Sequence, residues 1–434
     1  MNCTAHEARY AGSTAWLERA LKTIPLGSQT FSKSKTQYPE GVSPFFLERG
    51  LGSRVWDVDG NEYIDFVSSL LSISLGYQDP DVRKAVDAQL DKGTIFSLPN
   101  PIEVEVAEKI VEMVPCAEMV RFGKNGSDAT AGAIRLARAF TGRDHVAVCG
   151  YHGWQDWYIG STARNLGVPQ AVRDLTHTFM YNDIDSLKAI FKQHPDSLAA
   201  VILEPMNIAE PAPGFLEEVK DLCSSHKTVL VFDETITGFR FARGGAQELF
   251  GVTPDLATFG KGMANGYPIA ALVGRAEIMR MMEEIFFSFT FGGETLSLAA
   301  SLAVLEKIDR EPVLASIYRS GAQVKDGLEE LIRKHGLSEV CSVAGHPTWT
   351  FFVLKDTATY GMWQLKTLYL QEMFARGILT VGTHNMSYAH SQADISALLA
   401  CYDDVLAILK TVLEKENIEE FLKARPLEPL FKVR

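Results

Sequence analysis

Residues 228–261 read TVLVFDETITGFRFARGGAQELFGVTPDLATFGK. Two short apolar runs in this stretch each close on charged residues: TVLVFDE (228–234) on Asp233 and Glu234, and LATFGK (256–261) on Lys261. Continuous apolar runs without polar alternation are the mark of strands buried on both faces, as in a parallel sheet. The same pattern recurs on either side, in HVAVCG (145–150), AAVILEP (199–205) and IAALVG (269–274). Between these runs, 102–114, 127–141, 184–193 and 215–225 carry helical periodicity. The alternation predicts an α/β fold with a mostly parallel central sheet and helices on both faces. Ligands of such sheets sit at the carboxyl ends of the strands, which is where Asp233, Glu204 and Lys261 fall.

Farther out, 5–23 reads as an amphipathic helix ending before Pro25, and RVWDVDGNEYIDF (54–66) as a hairpin about Asp59-Gly60. Residues 79–93 and 295–335 read as helices. The remainder, 336–434, reads as a small α+β domain, with strands near 349–354 and 378–381 and a helix over 392–415. The expected division is an N-terminal segment 1–75 contributing to the small domain, a large domain 76–310, and the rest of the small domain over 311–434. With 434 residues and 46% hydrophobic content, the chain has ample material for a core. A net charge of -12 makes nucleic acid a poor partner. The six cysteines are scattered with no metal spacing, so reduced thiols, no metal site and a cytoplasmic setting are expected. The start MNCTAHEARY lacks a basic stretch followed by an apolar one, and no apolar run is long enough to span a bilayer, so no membrane partner is expected.

The chemistry lies in the two strand ends. A buried carboxylate such as Asp233 is costly without a cationic partner, and a protonated pyridine nitrogen would serve. A lysine flanked by glycines and desolvated there has a lowered pKa and can form an imine. Pyridoxal-5′-phosphate (PLP) enzymes need both parts, the lysine for the imine and the acid for the ring nitrogen. Taken singly, Asp233 could equally cap a helix, and Lys261 could be a solvated side chain.

The segments DETITGFR, PDLATFGKGMANGYPIAA and RFGKNGSDATAGAIRLARAFTGRD resemble the class III aminotransferases, of PLP fold type I (aspartate aminotransferase-like). The resemblance runs over nearly the whole chain and is nearest to the glutamate-1-semialdehyde aminomutase-like branch. It implies that Lys261 is the Schiff-base lysine and Asp233 the partner of the pyridine nitrogen. It implies that Gly126 and Ser127, in NGSDA, bind the cofactor phosphate. A glycine turn opening a helix suits a dianion, and Asn125 in place of the usual Ser leaves that cup intact. In GYHGWQDW, Tyr151 and His152 match the family's YHG, whose aromatic ring stacks on the cofactor; a core aromatic is the plainer reading. Thr235 matches a small residue on the opposite face. Glu204 matches an acid near cofactor and substrate, or is a structural strand-end carboxylate. In FTFGGETLSLAA, Thr290 matches the threonine that binds the phosphate of the neighbouring subunit, which implies a homodimer with shared active sites; Thr295 is the competing candidate.

The resemblance implies transfer of an amino group from an amino acid donor to a keto or aldehyde acceptor. Intramolecular transfer by a glutamate-1-semialdehyde 2,1-aminomutase is the alternative. A non-catalytic PLP-fold binding protein is more remote, and a decarboxylase or racemase would share the lysine. Aminomutases of this kind carry a PGGVNSPVR-like segment, and the matching PLGSQTFSK (25–33) puts Lys33 on its carboxylate-binding Arg, without the guanidinium fork. GMANGYPIAALVG is likewise closer to ordinary aminotransferases. SQTFSK, FGGETLSLAAS and GTHNMSYAH are similar to a subgroup of surface-polysaccharide or secondary metabolism, where the acceptor is a keto sugar or small phosphorylated ketone. On that reading His384 and Asn385 line the substrate pocket; a polar loop is the plainer reading.

Overall fold

The computed structural model of the chain describes residues 9–428. The first part of the expected 5–23 helix, and Cys3, lie outside them. The strands in chain order are β1 (Leu47–Leu51), β2 (Arg54–Asp57), β3 (Glu62–Asp65), β4 (Met119–Gly123), β5 (His145–Cys149), β6 (Thr176–Thr178), β7 (Leu198–Leu203), β8 (Val229–Asp233), β9 (Leu256–Phe259), β10 (Ala270–Gly274), β11 (Cys341–His346), β12 (Trp349–Leu354), β13 (Ile378–Leu379) and β14 (Thr383–Asn385). The described residues divide into two compact units. One takes Leu71–Ser74 and Pro80–Leu314; the other takes the residues up to Leu70, Leu75–Asp79 and those from Ala315 on.

The first unit is built on a seven-stranded sheet of order β4-β10-β9-β8-β7-β5-β6. Strands β6, β5, β7, β8 and β9 run parallel, while β10 is antiparallel to both of its neighbours. Every residue of β7, β8, β9 and β10 is buried, which is why these strands read as unbroken apolar runs. The helix Gly126–Thr141 buries Ala129, Ala133, Ile134, Leu136 and Ala137 in a core shared with Val146, Val148, Ala200, Ile202, Val229 and Val231. Each fully buried Val, Leu or Ile contributes about 1.5–3 kcal/mol, so this face alone fixes the helix to the sheet. Gly132 packs against the loop residue Phe287, where a Cβ would stand 2.7 Å from the ring. The helix ends where Gly142 takes a left-handed φ of 67°.

The second unit holds two smaller sheets, β1-β2-β3-β13 and β11-β12-β14. The hairpin β2–β3 turns at Asp59-Gly60, with Gly60 at φ 81°. The long helix Gln392–Lys415 lies in this unit, opened by a capping box between Ser391 and Asp394.

His384 corrects an expectation. It sits on β14, opposite Thr350 of β12, and is fully buried. Its Nδ1 bonds the Thr350 hydroxyl at 2.8 Å and its Nε2 the Tyr402 hydroxyl at 2.7 Å, and Tyr402 bonds Tyr369 at 2.7 Å. Both ring nitrogens are committed inside the core, so His384 offers no atom to a substrate. Asn385 follows it, buried, with Nδ2 donating to the Val67 carbonyl at 2.6 Å. Burial pushes the His384 pKa from 6.5 down to about 3, with His390 adding a smaller lowering. The unfolded chain therefore takes up a proton at His384 that the folded chain refuses, and this costs stability as pH falls from about 6.5 to about 3. His384→Gln is expected to flatten that part of the stability–pH curve and to lower stability at neutral pH by roughly 1–3 kcal/mol, through bonds left unmade. Denaturant melts across pH check this; an acid limb identical to that of the parent protein would refute it.

Candidate active site

Asp233 ends β8, and the register places Thr258 of β9 directly beside it. The Asp233 carboxylate is 5% exposed and collects four donors. Oδ1 accepts from the Thr235 N–H at 3.1 Å, the Thr235 hydroxyl at 2.5 Å and the Thr258 hydroxyl at 3.0 Å; Oδ2 accepts from His152 Nδ1 at 2.9 Å. Burial alone would raise its pKa, but the hydrogen bond and charge of His152, the Thr235 hydroxyl and the nearby Lys261 charge outweigh it and hold Asp233 below the usual carboxylate range. His152 is itself buried and its Nε2 bonds the Cys149 carbonyl at 3.1 Å, so its ring plane is fixed.

Lys261 follows β9 in a short turn whose φ of 44° is left-handed, a conformation costing a non-glycine residue about 1 kcal/mol or more. Gly260 and Gly262 on either side make the close approach feasible: a Cβ on Gly262 would stand 3.1 Å from Ser74 Oγ, which donates to the Gly262 carbonyl at 2.7 Å. Burial lowers the Lys261 pKa against the raising fields of Asp233 and Glu204, and Arg240 adds to the lowering. The amine is thus more readily available as nucleophile or base than that of a solvated lysine.

A cavity of about 310 Å³ gathers these groups. Gly126, Ser127, Tyr151, His152, Glu204, Asp233, Thr235 and Lys261 all line it, so eight of the residues expected from sequence come together. At one end stands the N-terminus of the helix Gly126–Thr141. Asn125 and Asp128 close a capping box there, which takes up the Asp128 N–H, and the Asn125 carbonyl receives the Ala129 N–H. The N–H groups of Gly126 and Ser127 are among those an α-helix leaves without an intrahelical partner, and both residues line the cavity. Gly153, at φ 102°, packs under this turn; a Cβ there would stand 2.3 Å from Ser127 Oγ, so only glycine fits. The helix end, with its partial positive charge, could hold a phosphate.

Thr235 shows why a threonine can stand where an apolar residue would do. Its hydroxyl is spent on Asp233, and its methyl group lies over Gly126 and Gly260. Tyr151 is half exposed and meets Tyr158 edge-on at 5.7 Å, leaving its ring on the cavity wall. Glu204 proves to be a positioning group as well as a wall residue: its Oε2 accepts the Tyr151 N–H at 3.0 Å and the Asn207 amide at 2.8 Å. Gly150, at φ 109°, has no room for a Cβ against that carboxylate.

Lys33, Thr290 and Thr295 are not among the residues that line this cavity. Lys33 is an exposed residue of the other unit, with Nζ donating to Ser69 Oγ at 3.3 Å. Thr290 is exposed on the loop before the helix Thr295–Arg310, and does not line this cavity. Thr295 is buried, with its hydroxyl bound to the Gly93 and Thr94 carbonyls and to Gln89, so it serves that helix start and not a ligand. Sequence reasoning passed over Thr258, Thr130 and Trp154. Thr130 lines the cavity and donates to the His152 carbonyl at 2.8 Å; Trp154 also lines it and is 67% exposed. A hydroxyl inside an otherwise apolar strand, three residues before Lys261, was the available signal for Thr258.

The comparisons with known proteins agree with this geometry. The family model for class III aminotransferases matches residues 37–389. The 3-aminobutyryl-CoA aminotransferase of Cloacimonas acidaminovorans (strain Evry) is 36% identical over 419 residues, 94% of this chain and 100% of that protein. The glutamate-1-semialdehyde 2,1-aminomutase of Syntrophobacter fumaroxidans is 40% identical over 328 residues, 71% of this chain and 74% of that one. Among solved structures, the FumI protein of Sphingopyxis sp. MTA144 in a PLP form superposes with a TM-score of 0.87 at 31% identity, covering 95% of this chain and 98% of that one. The chain belongs to the class III aminotransferases, PLP-dependent enzymes of fold type I.

Proposed function

We infer that the cavity holds PLP through Lys261, Asp233 and the Gly126–Ser127 turn, and that the chain moves an amino group from an amino acid donor to a keto or aldehyde acceptor. The observation that carries this reading is the placing of a desolvated amine and an ionised, hydrogen-bonded carboxylate at the ends of neighbouring parallel strands, in one cavity with a helix N-terminus. The residues fit the cofactor chemically: N–H groups for its phosphate, a carboxylate for its ring nitrogen, an amine for its aldehyde, and the Tyr151 ring and Thr235 methyl as walls. Bound there, PLP supplies the electron sink for cleavage of the donor's C–H bond.

The protein's own groups have separate tasks. Lys261 Nζ would attach the cofactor and, when free of it, would take and return the proton of the substrate carbon. Asp233 holds a fixed negative charge, kept ionised by His152, Thr235 and Thr258. Glu204 fixes the backbone at Tyr151, and through it the aromatic wall. The 36% identical aminotransferase matches the chain over its whole length and favours intermolecular transfer. The 40% identical aminomutase keeps intramolecular transfer as the second reading. Turnover with ¹⁵N-labelled donor amino acids separates them. Label appearing in an added keto or aldehyde acceptor supports the proposal; turnover of glutamate-1-semialdehyde with no acceptor and no label exchange would replace it with the mutase reading.

The proposal includes a homodimer. A groove of about 790 Å³ is walled by Val104, Val111, Met119, Phe122 and Phe289, of which Val104 is 57% exposed, and the exposed Thr290 adjoins it. An apolar surface of this kind is costly in water, and a second copy would cover it and carry Thr290 toward the other copy's phosphate site. Sedimentation equilibrium is expected to give twice the 47.9 kDa chain mass. A monomer at micromolar concentration would contradict it.

A further inference from the structure

Away from the cavity, three histidines from three elements converge. His145 opens β5, His177 is the middle residue of the edge strand β6, and His194 caps the carboxyl end of the helix Ile184–Gln193. Strand β5 leads from His145 at one end to Tyr151 and His152 just past the other, so the cluster lies at the opposite end of the strand from the cavity. Each residue offers one ring nitrogen, and these atoms all lie within 4.8 Å of one another. His145 Nδ1 and His177 Nε2 are 2.8 Å apart. The ring centroids stand 4.0 to 5.1 Å apart with interplanar angles of 20 to 27°. All three rings are part-exposed, so solvent ions can reach them.

We propose that His145, His177 and His194 form a binding site for a divalent transition-metal ion of the zinc, copper and nickel class, separate from the cofactor site. Imidazole nitrogens are the preferred ligands of these ions, and three of them with water in the remaining position form a familiar tetrahedral set. Metal–nitrogen bonds of about 2.0–2.1 Å place such nitrogens roughly 3.3 Å apart, within the spread seen here. The rings turn out of their stack to aim their lone pairs at the ion, and their partial exposure leaves room for it. The exposed Asp144 and Asp174 add negative charge felt by His145 and His177 respectively. An ion here would tie the helix end that bears His194 to the parallel-paired strands β5 and β6.

The test is calorimetric titration of the holoenzyme, first stripped with a chelator, with zinc chloride. The expected result is one zinc ion per chain, and a melting temperature that rises on addition of zinc. His194→Ala, at a part-exposed helix end, and His177→Ala are each expected to weaken binding by roughly tenfold or more and to abolish the rise in melting temperature. No binding by the parent protein, or undiminished binding in His194→Ala, would overturn the proposal; the latter variant answers the question even if His177→Ala fails to fold.

Discussion

Lys261→Ala is expected to abolish the visible absorbance of lysine-linked cofactor and to reduce turnover by at least about 10³-fold, because one change removes both the attachment point and the proton carrier. The fold should survive. Alanine meets the same left-handed φ of 44° as lysine does, and the residue's neighbours, Gly260 and Gly262, are unchanged. No hydrogen bond of the core is lost with the amine. The loss should also be steep in a second sense: exogenous small amines can restore some proton transfer but not the tether, so the absorbance band should stay absent under rescue. The parent protein and the variant are compared by absorbance and by single-turnover kinetics. A persistent band in the variant would assign the attachment to another lysine.

Asp233→Asn is expected to keep fold and cofactor and still lose turnover by on the order of 10²–10³-fold, the scale for removing one preorganised electrostatic partner. The amide is isosteric with the carboxylate, and its carbonyl oxygen can keep the three bonds made to Oδ1 by Thr235 and Thr258. Its NH₂ group would then lie toward His152, whose Nδ1 can switch from donor to acceptor, as imidazole tautomers permit. What cannot be kept is the charge. Burial makes a neutral group easy to accommodate there, and that is why the parent carboxylate needs four donors to stay ionised. The measurement is kcat with substrate saturating, alongside the melting temperature. Unchanged kcat would remove Asp233 from the mechanism; a collapse in melting temperature with lost kcat would assign it a structural role.

Much of this was legible in the residues, for reasons that can be named. Strands β7, β8, β9 and β10 are buried throughout and β5 nearly so, so each shows as a continuous apolar run, and β7, β8 and β9 lead into Glu204, Asp233 and Lys261. The strands left unread are those that lack this signal. Strand β4 alternates exposed and part-buried residues on an edge, and β6 is a three-residue edge strand of threonines and a histidine. The helix Met362–Ala375 was also unread, because burial nearly all round, from Leu365 to Phe374, erases the amphipathic period. Gly126 and Gly153 stand where the chain packs closely, against Thr235 and Ser127 respectively, and both lie in the motifs that carry the family resemblance. The resemblance of GTHNMSYAH suggests His384 as a pocket residue, but only the pairing of the three-residue strand Thr383–Asn385 with β12 reveals that its nitrogens face Thr350 and Tyr402. The histidine cluster was invisible for a related reason: His145, His177 and His194 are far apart in the chain, and only the parallel pairing of β5 with β6 brings the first two together.

The most direct test of the central claim is an absorbance titration of the purified holoenzyme with single amino donors, followed by a keto or aldehyde acceptor. The account predicts a visible band from cofactor held by Lys261, its loss as a donor leaves its nitrogen on the cofactor, and its full return when the acceptor takes that nitrogen away. A protein that shows no visible band even when supplied with PLP, or a band that no amine alters, would contradict it.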